Sequence, residues 1–386
     1  MKQRNYKATG IILKGMPMGE SDRLVTVLTK EQGLIRAIAP GARKHKSKLA
    51  GRSGLFVVND LFFSKGKSLD KLIQAETIRS FPGLSKDLAK LTASQYLAEI
   101  VLSLALSDHP QPEIYYLLIE HLGRIEAADK PNVLACLAQA TFHLLATAGV
   151  APDVFRCCIS RAPLTPDISD PDWQVGFSVS AGGAVIPAEI ERIEQEKLKE
   201  ISDRTAQQEQ ERIAIAKPLY AASAADAQRP TTAIAAETTA DYRTEDKTKN
   251  TAKNTAKNTA QTTTTPAARR NLSGLKTRIA RDVTRHLGIV TYLNAAEIAL
   301  MQQLNKPELI LTSTLPMSTQ FTQKSGTIEG VLAANRGNLQ ESGPHLMWRH
   351  IEKALREYAQ HQLDRPIRSA ALIDTCFTSP SYASPA

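Results

Sequence analysis

No apolar run in the chain approaches the roughly 18 to 20 residues that a membrane-spanning helix requires, so no membrane partner is expected. The first residues, MKQRNYKATGIILKG, offer only the short run from Gly10 to Leu13 where a secretory leader needs a longer apolar stretch. The expected location is therefore the cytoplasm. Cysteine is scarce: Cys136, Cys157, Cys158 and Cys376, two of them adjacent, make no disulfide framework and read as thiols of a reducing compartment. Catalytic signatures are missing too. There is no GxxxxGK[ST] phosphate loop, no GxGxxG, no HExxH and no GxSxG elbow. Ser21, in GESDR at 19–23, sits between two carboxylates with no base nearby to activate it. It reads as part of a turn in which Ser21 or Asp22 caps the next strand, and the chain is not expected to be an enzyme.

A metal site is the remaining chemical candidate, in RCCISRAPL at 156–164. A zinc ribbon closes its tetrahedron with two Cys-x-x-Cys knuckles. Here Cys157 would pair with Ser160, Cys158 has the wrong spacing, and GGAVIPAEI downstream supplies Ile186 and Glu189 in place of thiols. The ligand set is incomplete, so neither zinc nor any other cofactor is expected.

What the sequence does have is charge in one place. The chain of 386 residues is long enough for two or three domains, and its net charge is +9. Residues 1–83 hold 16 Lys and Arg against 6 Asp and Glu, a net of +10, which leaves 32 against 33 for the rest. A field confined to one small domain attracts polyanions there, and nucleic acid is the leading candidate.

The apolar pattern of that domain is a strand pattern. Five short runs, at 6–14, 23–30, 33–39, 54–64 and 70–80, are separated by turn residues and predict a small five-stranded barrel of the OB-fold type. Beyond Pro82 the period becomes helical. A helix capped by Ser85 carries Leu97, Ile100, Val101 and Leu104 on one face, HPQPE at 109–113 breaks it, and helices follow at 113–125 and from Pro131 to Gly149. Residues 151–190 lose this periodicity. The segment 191–270, ending in TKNTAKNTAKNTAQTTTTP, is polar enough to be expected disordered, apart from a frayed helix at 190–202. Helical pattern returns at 275–304 and 346–363, the latter with Ile351, Leu355 and Tyr358 on one face. The expected architecture is α+β and multidomain: an OB-fold barrel at 1–83, a helical domain in two parts at 84–150 and 271–376, a loop-rich module at 151–190, a disordered insertion at 191–270 and a disordered tail at 377–386.

GIILKGMPMGESDRLVTVLTKEQGLIRAIAPGARKHKSKLAG, followed by QAETIRSFPGL, resembles the start of the bacterial RecO family of DNA repair proteins. REYAQHQLDRPIRSAALI at 356–373 resembles the closing helix and arginine motif of that family, and GVAPDVFRC and GGAVIP resemble its zinc-knuckle segments with most ligands replaced. The resemblance covers about two thirds of the chain and excludes 190–270. It implies a recombination mediator with an N-terminal OB-fold, a helical domain and a degenerate zinc-ribbon-like module. Such a protein binds single- and double-stranded DNA, anneals complementary strands, engages the C-terminal tail of the single-stranded-DNA-binding protein SSB, and works with RecR to load RecA. A monomer is expected. With Ser160, Ile186 and Glu189 at ligand positions, the module should instead pack around Phe155, Trp173 and Phe177.

The DNA contacts are expected from Arg43, Lys44, Lys46, Lys48 and Arg52 of the loop PGARKHKSKLAGRS at 40–53, with Lys65, Lys67 and Lys71 near the turn between the fourth and fifth strands. Both loops should flank one face of the barrel, with Arg23 and Arg36 extending the track. The glycines of the 40–53 loop suggest that it is mobile until DNA binds. Tyr6, Phe56, Phe62 and Phe63 are the candidates for stacking on bases, although strand alternation sends Phe62 and Phe63 to opposite faces. The acidic tail of SSB calls for an apolar pocket rimmed by cations, which Arg349, Lys353 and Arg356 of the last helix could supply. An OB-fold RNA-binding or translation-associated protein would show the same charge segregation. A metal-dependent nuclease built on ESD at 20–22 and DISDPD at 167–172 is the third class to weigh.

Overall fold

The structure is a computed structural model, and it describes residues 5–226, 266–308 and 344–377. It divides into two units, one formed by Met1–Pro187 with Leu287–Ala386 and the other by Ala188–His286.

In the first unit the strands β1 (Asn5–Met18), β2 (Asp22–Thr29), β3 (Gly33–Ala39), β4 (Val58–Ser64) and β5 (Asp70–Arg79) close a barrel in the order β1-β2-β3-β5-β4. This is the expected five-stranded OB-type barrel. The closure is a short parallel pairing, Ala37 with Asp70 and Ile38 with Lys71. Alternation along each strand sends Ile12, Val25, Val27, Ile35, Leu61, Phe63 and Leu72 into the barrel. The opposite side, with Ile11, Leu13, Leu28, Phe56 and Val58, belongs to the apolar core shared with the helices. A bulge in β1 between Ile12 and Lys14 rephases the strand, which then runs four residues past the expected end at position 14. Gly33 makes the β2–β3 turn at φ +65°, and a Cβ there would lie 2.1 Å from the Leu106 carbonyl oxygen, so no other residue fits.

Residues 40–57 differ from expectation. The basic loop is hydrogen-bonded, with turns at Ala39–Ala42, Gly41–Lys44 and Lys44–Ser47, and it ends in a one-turn helix, α1 (Leu49–Arg52). Gly54–Val57 therefore precedes β4 rather than belonging to it.

The helices α2 (Leu88–Leu104), α3 (Pro112–Ala127) and α4 (Val133–Thr147) lie close to the expected spans. The cap of α2 is Asp87, whose carboxylate accepts from the Ala89 and Lys90 amides, while Ser85 donates to the Pro82 carbonyl instead. Past the helices, β6 (Gln174–Ser178) sits centrally in a three-stranded sheet between β7 (Gly183–Val185) and a strand at Ile289–Asn294. That strand falls inside the segment read as helix at 275–304. Its Ile-Val-Thr-Tyr run after Gly288, a residue at φ +60°, is a strand signal that the surrounding helical pattern obscured. The 151–190 module packs through Val154, Leu164, Val175 and Phe177. Phe155, expected in its core, is 46% exposed.

The second unit contains α5 (Pro187–Asp226) and α6 (Pro266–His286), and β8 is the strand at Ile289–Asn294 that follows. Helix over 203–226 and 266–270 corrects the expectation of disorder there. The Gln, Glu, Arg and Ala residues there favour helix strongly, and in the preceding turns of α5 Arg192 pairs with Glu189 at 2.9 Å and Glu196 at 2.6 Å. The TAKN repeats lie outside the described residues, as does the tail after Phe377. Back in the first unit, α7 (Ala295–Gln303), α8 (Pro344–Leu363) and α9 (Ala370–Phe377) complete the helical core, where Trp348, Ile351 and Leu355 of α8 are fully buried.

Candidate nucleic-acid interface

The basic loop is held by the residues of GESDR. The Asp22 carboxylate accepts the Gly41 amide at 2.7 Å and the Ser21 hydroxyl, and the Arg43 amide donates to the Ser21 carbonyl at 2.8 Å. The Gly41 hydrogen bond, then that of Ser21, and then the charges of Lys44 and Lys71 hold the Asp22 carboxyl below its ordinary value. The charges of Lys44 in the loop and Lys71 on β5 thus both act on this carboxylate. Arg23 grips the other end of the loop: its Nη1 donates to the carbonyls of Ala50 and Ser53 and to the Ser53 hydroxyl, at 2.8 to 3.2 Å.

Asp70 organises the second basic loop in the same way. Buried at the start of β5, it accepts the Gly66 amide at 2.9 Å and the Tyr6 hydroxyl, and it lies 3.5 Å from the Lys65 ammonium. Two of the six carboxylates of the basic domain thus each fold a cationic loop. Glu31, Asp60 and Glu76 cluster elsewhere, lining a cleft of about 470 Å³ with Lys7, Thr9, Phe62 and Gln74. Away from this cleft the exposed charges are mostly cationic, with the exposed Glu20 as the sixth carboxylate, and they define a basic face.

Strand register defines that face. Lys14 stands opposite Thr26, and Thr26 opposite Arg36, so one row crosses β1, β2 and β3 on the outside of the barrel. The next row runs Met16, Leu24, Ile38, Lys71. Lys14, Arg36 and Lys71 are exposed on it, beside Lys44, Lys46 and Lys48 of the loop. The expected cations therefore divide by role. Lys44, Lys46, Lys48, Lys67, Lys71 and Arg36 present exposed charge. Arg43 is exposed while its Nη1 donates to the Gly19 carbonyl at 2.9 Å, and Lys65 shares its charge with Asp70 and Asp108. Arg23 and Arg52 are half-buried: the Arg23 Nη1 is taken up by the loop and the Arg52 Nη1 donates to the Ala75 carbonyl at 2.7 Å, so both also shape the surface.

Lys14 is the member that sequence reading missed. It sits directly after the bulge, and the two-residue period that would have placed it outward is broken there. The aromatics do not join the basic face. Phe56 and Phe63 are core, Tyr6 stacks on Phe63 at a centroid distance of 5.3 Å, and Phe62 borders the acidic cleft. Burial, and then the hydrogen bond to Asp70, raise the Tyr6 hydroxyl far above its usual range, so it stays protonated.

One further expectation is corrected. Arg356 is not a surface cation of α8: it is 7% exposed and forks onto Asp374 at 2.7 and 3.0 Å. The zinc-knuckle remnant, where an incomplete ligand set was expected, holds a buried thiol. The Cys157 sulfur is enclosed, and hydrogen bonds from Ser160 and from the Ile186 and Ile159 amides oppose the effect of its burial strongly enough to hold the thiol below its usual value. Among the described residues no group of three or more His, Cys, Asp or Glu could hold a metal ion.

The family model for the recombination protein O N terminal matches residues 1–81, and that for the recombination protein O C terminal matches residues 85–209. The chain is 42% identical over 375 residues to a DNA repair protein RecO of Acaryochloris marina, covering 97% of this chain and 96% of the relative. A Nostoc relative of the same name is 40% identical over 379 residues, covering 97% of each chain. The chain belongs to the RecO family. Membership assigns it to DNA repair and recombination, and the relatives are named as DNA repair proteins rather than as enzymes. It also places the OB-fold in the barrel of the N-terminal match. A Gloeothece citriformis relative is 66% identical over 183 residues, 47% of this chain. No helix of the described residues is long and apolar enough to cross a membrane.

Proposed function

We propose that the chain binds single- and double-stranded DNA through the barrel face, anneals complementary strands, and acts with RecR to load RecA onto SSB-coated DNA. The observation that supports this best is the row Lys14, Thr26, Arg36 across β1, β2 and β3, with Lys71 on the next row and the exposed Lys44, Lys46 and Lys48 in the loop that Asp22 and Arg23 anchor. Phosphates are the sequence-independent feature of a strand, and neutralising them releases counterions. A cationic face without open aromatic rings suits the backbone of any strand, and annealing needs two backbones screened from each other. The anchoring by Asp22 and Arg23 means that the loop is arranged before DNA arrives, so less ordering entropy opposes binding.

Annealing of complementary oligonucleotides, with and without SSB, tests the reading. The proposal expects the protein to accelerate annealing and to act on SSB-coated strands, with no cleavage in Mg²⁺. Strong preference for RNA of equal length with no annealing would favour an RNA-binding protein and sink the mediator reading.

A further inference from the structure

The near-neutral balance of the chain beyond position 83 conceals a second concentration of charge. Helix α6 carries Arg269, Arg270, Lys276, Arg278, Arg281 and Arg285 against the single carboxylate Asp282, and α5 offsets it with nine Asp and Glu against six Lys and Arg. On α6 the apolar Ile279 and Val283 are buried, while Lys276, Arg278, Arg281 and Arg285 are exposed. At 100° per residue, Arg278, Arg281 and Arg285 fall within one stripe about 60° wide, opposite Ile279 and Val283. Among the described residues the only ion pair of α6 joins Arg285 to Asp282, at 3.9 Å and well exposed.

We infer that the arginine stripe of α6 is a second phosphate-binding surface, which takes the sugar–phosphate backbone of a nucleic-acid strand independently of the barrel. From Arg278 to Arg285 the helix advances about 10 Å, at 1.5 Å per residue, which spans about three phosphates of one strand of a duplex. The alternatives fit less well. An anionic membrane is bound by an amphipathic helix through its apolar face, and here Ile279 and Val283 are already buried. An acidic peptide with an apolar tip needs a hydrophobic pocket beside its cations, and the exposed residues from Gly274 to His286 are Gly274, Lys276, Thr277, Arg278, Arg281, Asp282, Arg285 and His286. Two phosphate-binding surfaces on different units would let one molecule hold two strands.

The inference stands on residues separate from those of the barrel face, so either can fail alone. The test compares full-length protein with an Arg278→Ala/Arg281→Ala/Arg285→Ala variant and with the same three positions changed to Lys. Anisotropy of a labelled single strand is followed across a salt series, and helicity is checked by circular dichroism. The alanine variant should lower the slope of log K against log salt by about two units, at about 0.7 per contact, and should slow annealing. The lysine variant should keep both. An alanine variant with normal helicity, an unchanged slope and unchanged annealing would overturn the inference. So would loss of binding to phosphatidylserine vesicles with DNA binding intact. If the alanine variant loses helicity, the corresponding Gln variant removes the same charge in a good helix former and decides between the same two outcomes. The Arg43, Lys44, Lys46 and Lys48 alanine variant, measured alongside, reports separately on the barrel.

Discussion

Arg23 was expected to touch DNA, yet its guanidinium closes the basic loop on itself. Arg23→Ala would leave the carbonyl of the buried Ser53 without that donor, a loss of about 1 to 3 kcal/mol. The expected outcome is a lower melting temperature and weaker DNA binding with an unchanged salt slope, because a positioning residue is lost and not a phosphate contact. A reduced slope would return Arg23 to the contact surface. The histidine pair His121 and His143 behaves differently. Their ring nitrogens lie 3.1 Å apart, and His121 is pushed down to about 3 by burial, then by His143, then by Arg124. Unfolded, the same residue titrates near 6.5, so as pH falls below that value the unfolded chain takes up a proton that the folded chain refuses. Stability should therefore drop from about pH 6.5 toward pH 3, by at most about 1.4 kcal/mol per pH unit for this site. Urea melts at pH 7 and pH 5 should show the loss, and a His121→Asn/His143→Asn variant should show a flatter dependence. Little of this was legible beforehand: a guanidinium that binds carbonyls and one that waits for phosphate look the same in a string of letters.

At the scale of elements, Arg356 is a polar tie between α8 and α9, beside the apolar packing of Ile373 and Phe377. Arg356 donates to the Ala370 carbonyl, forks onto Asp374, and lies 3.1 Å from Glu352, whose carboxyl burial pushes up to about 7 against the opposing charge of Arg356. Arg356→Ala leaves Glu352 buried beside an unpaired Asp374, and a cost of about 3 to 5 kcal/mol is expected in thermal melts. Arg356→Lys should recover little of it, because an ammonium cannot reproduce the fork. The position shows why element type was easier to read than role. The 3.6-residue period identified α2, α3, α4 and α8, and it placed Ile351, Leu355 and Tyr358 correctly in the core. It could not say that Arg356 turns from the polar side of α8 onto another helix. Where apolar content was low, as in α5, the same reading mistook strong helix propensity for disorder. The strand β8 was missed because its partner β6 lies more than a hundred residues away, and nothing local reports such a pairing.

At the scale of the molecule, the segregation of charge proved the most informative property of the sequence, and the structure refines it twice. Within the barrel, Glu31, Asp60 and Glu76 are gathered around their own cleft, while Asp22 and Asp70 are used to fold the cationic loops. Beyond the barrel, the neutral sum hid the basic face of α6. A small carboxylate count thus does two jobs in the barrel, setting the fold of the loops and leaving one face free for a polyanion. The barrel and the loop positions were legible because alternation and glycines mark them. The outward row through Lys14 was not, because it depends on a bulge.

The central claim is that the exposed cations beside Asp22 hold the DNA backbone. Its most direct test is the salt dependence of single-strand affinity for an Arg43→Ala/Lys44→Ala/Lys46→Ala/Lys48→Ala variant against the unaltered chain. The account predicts weaker binding and a slope of log K against log salt that is shallower by about 0.7 for each contact removed. A variant that folds normally and keeps the original slope would contradict it and place the binding surface elsewhere.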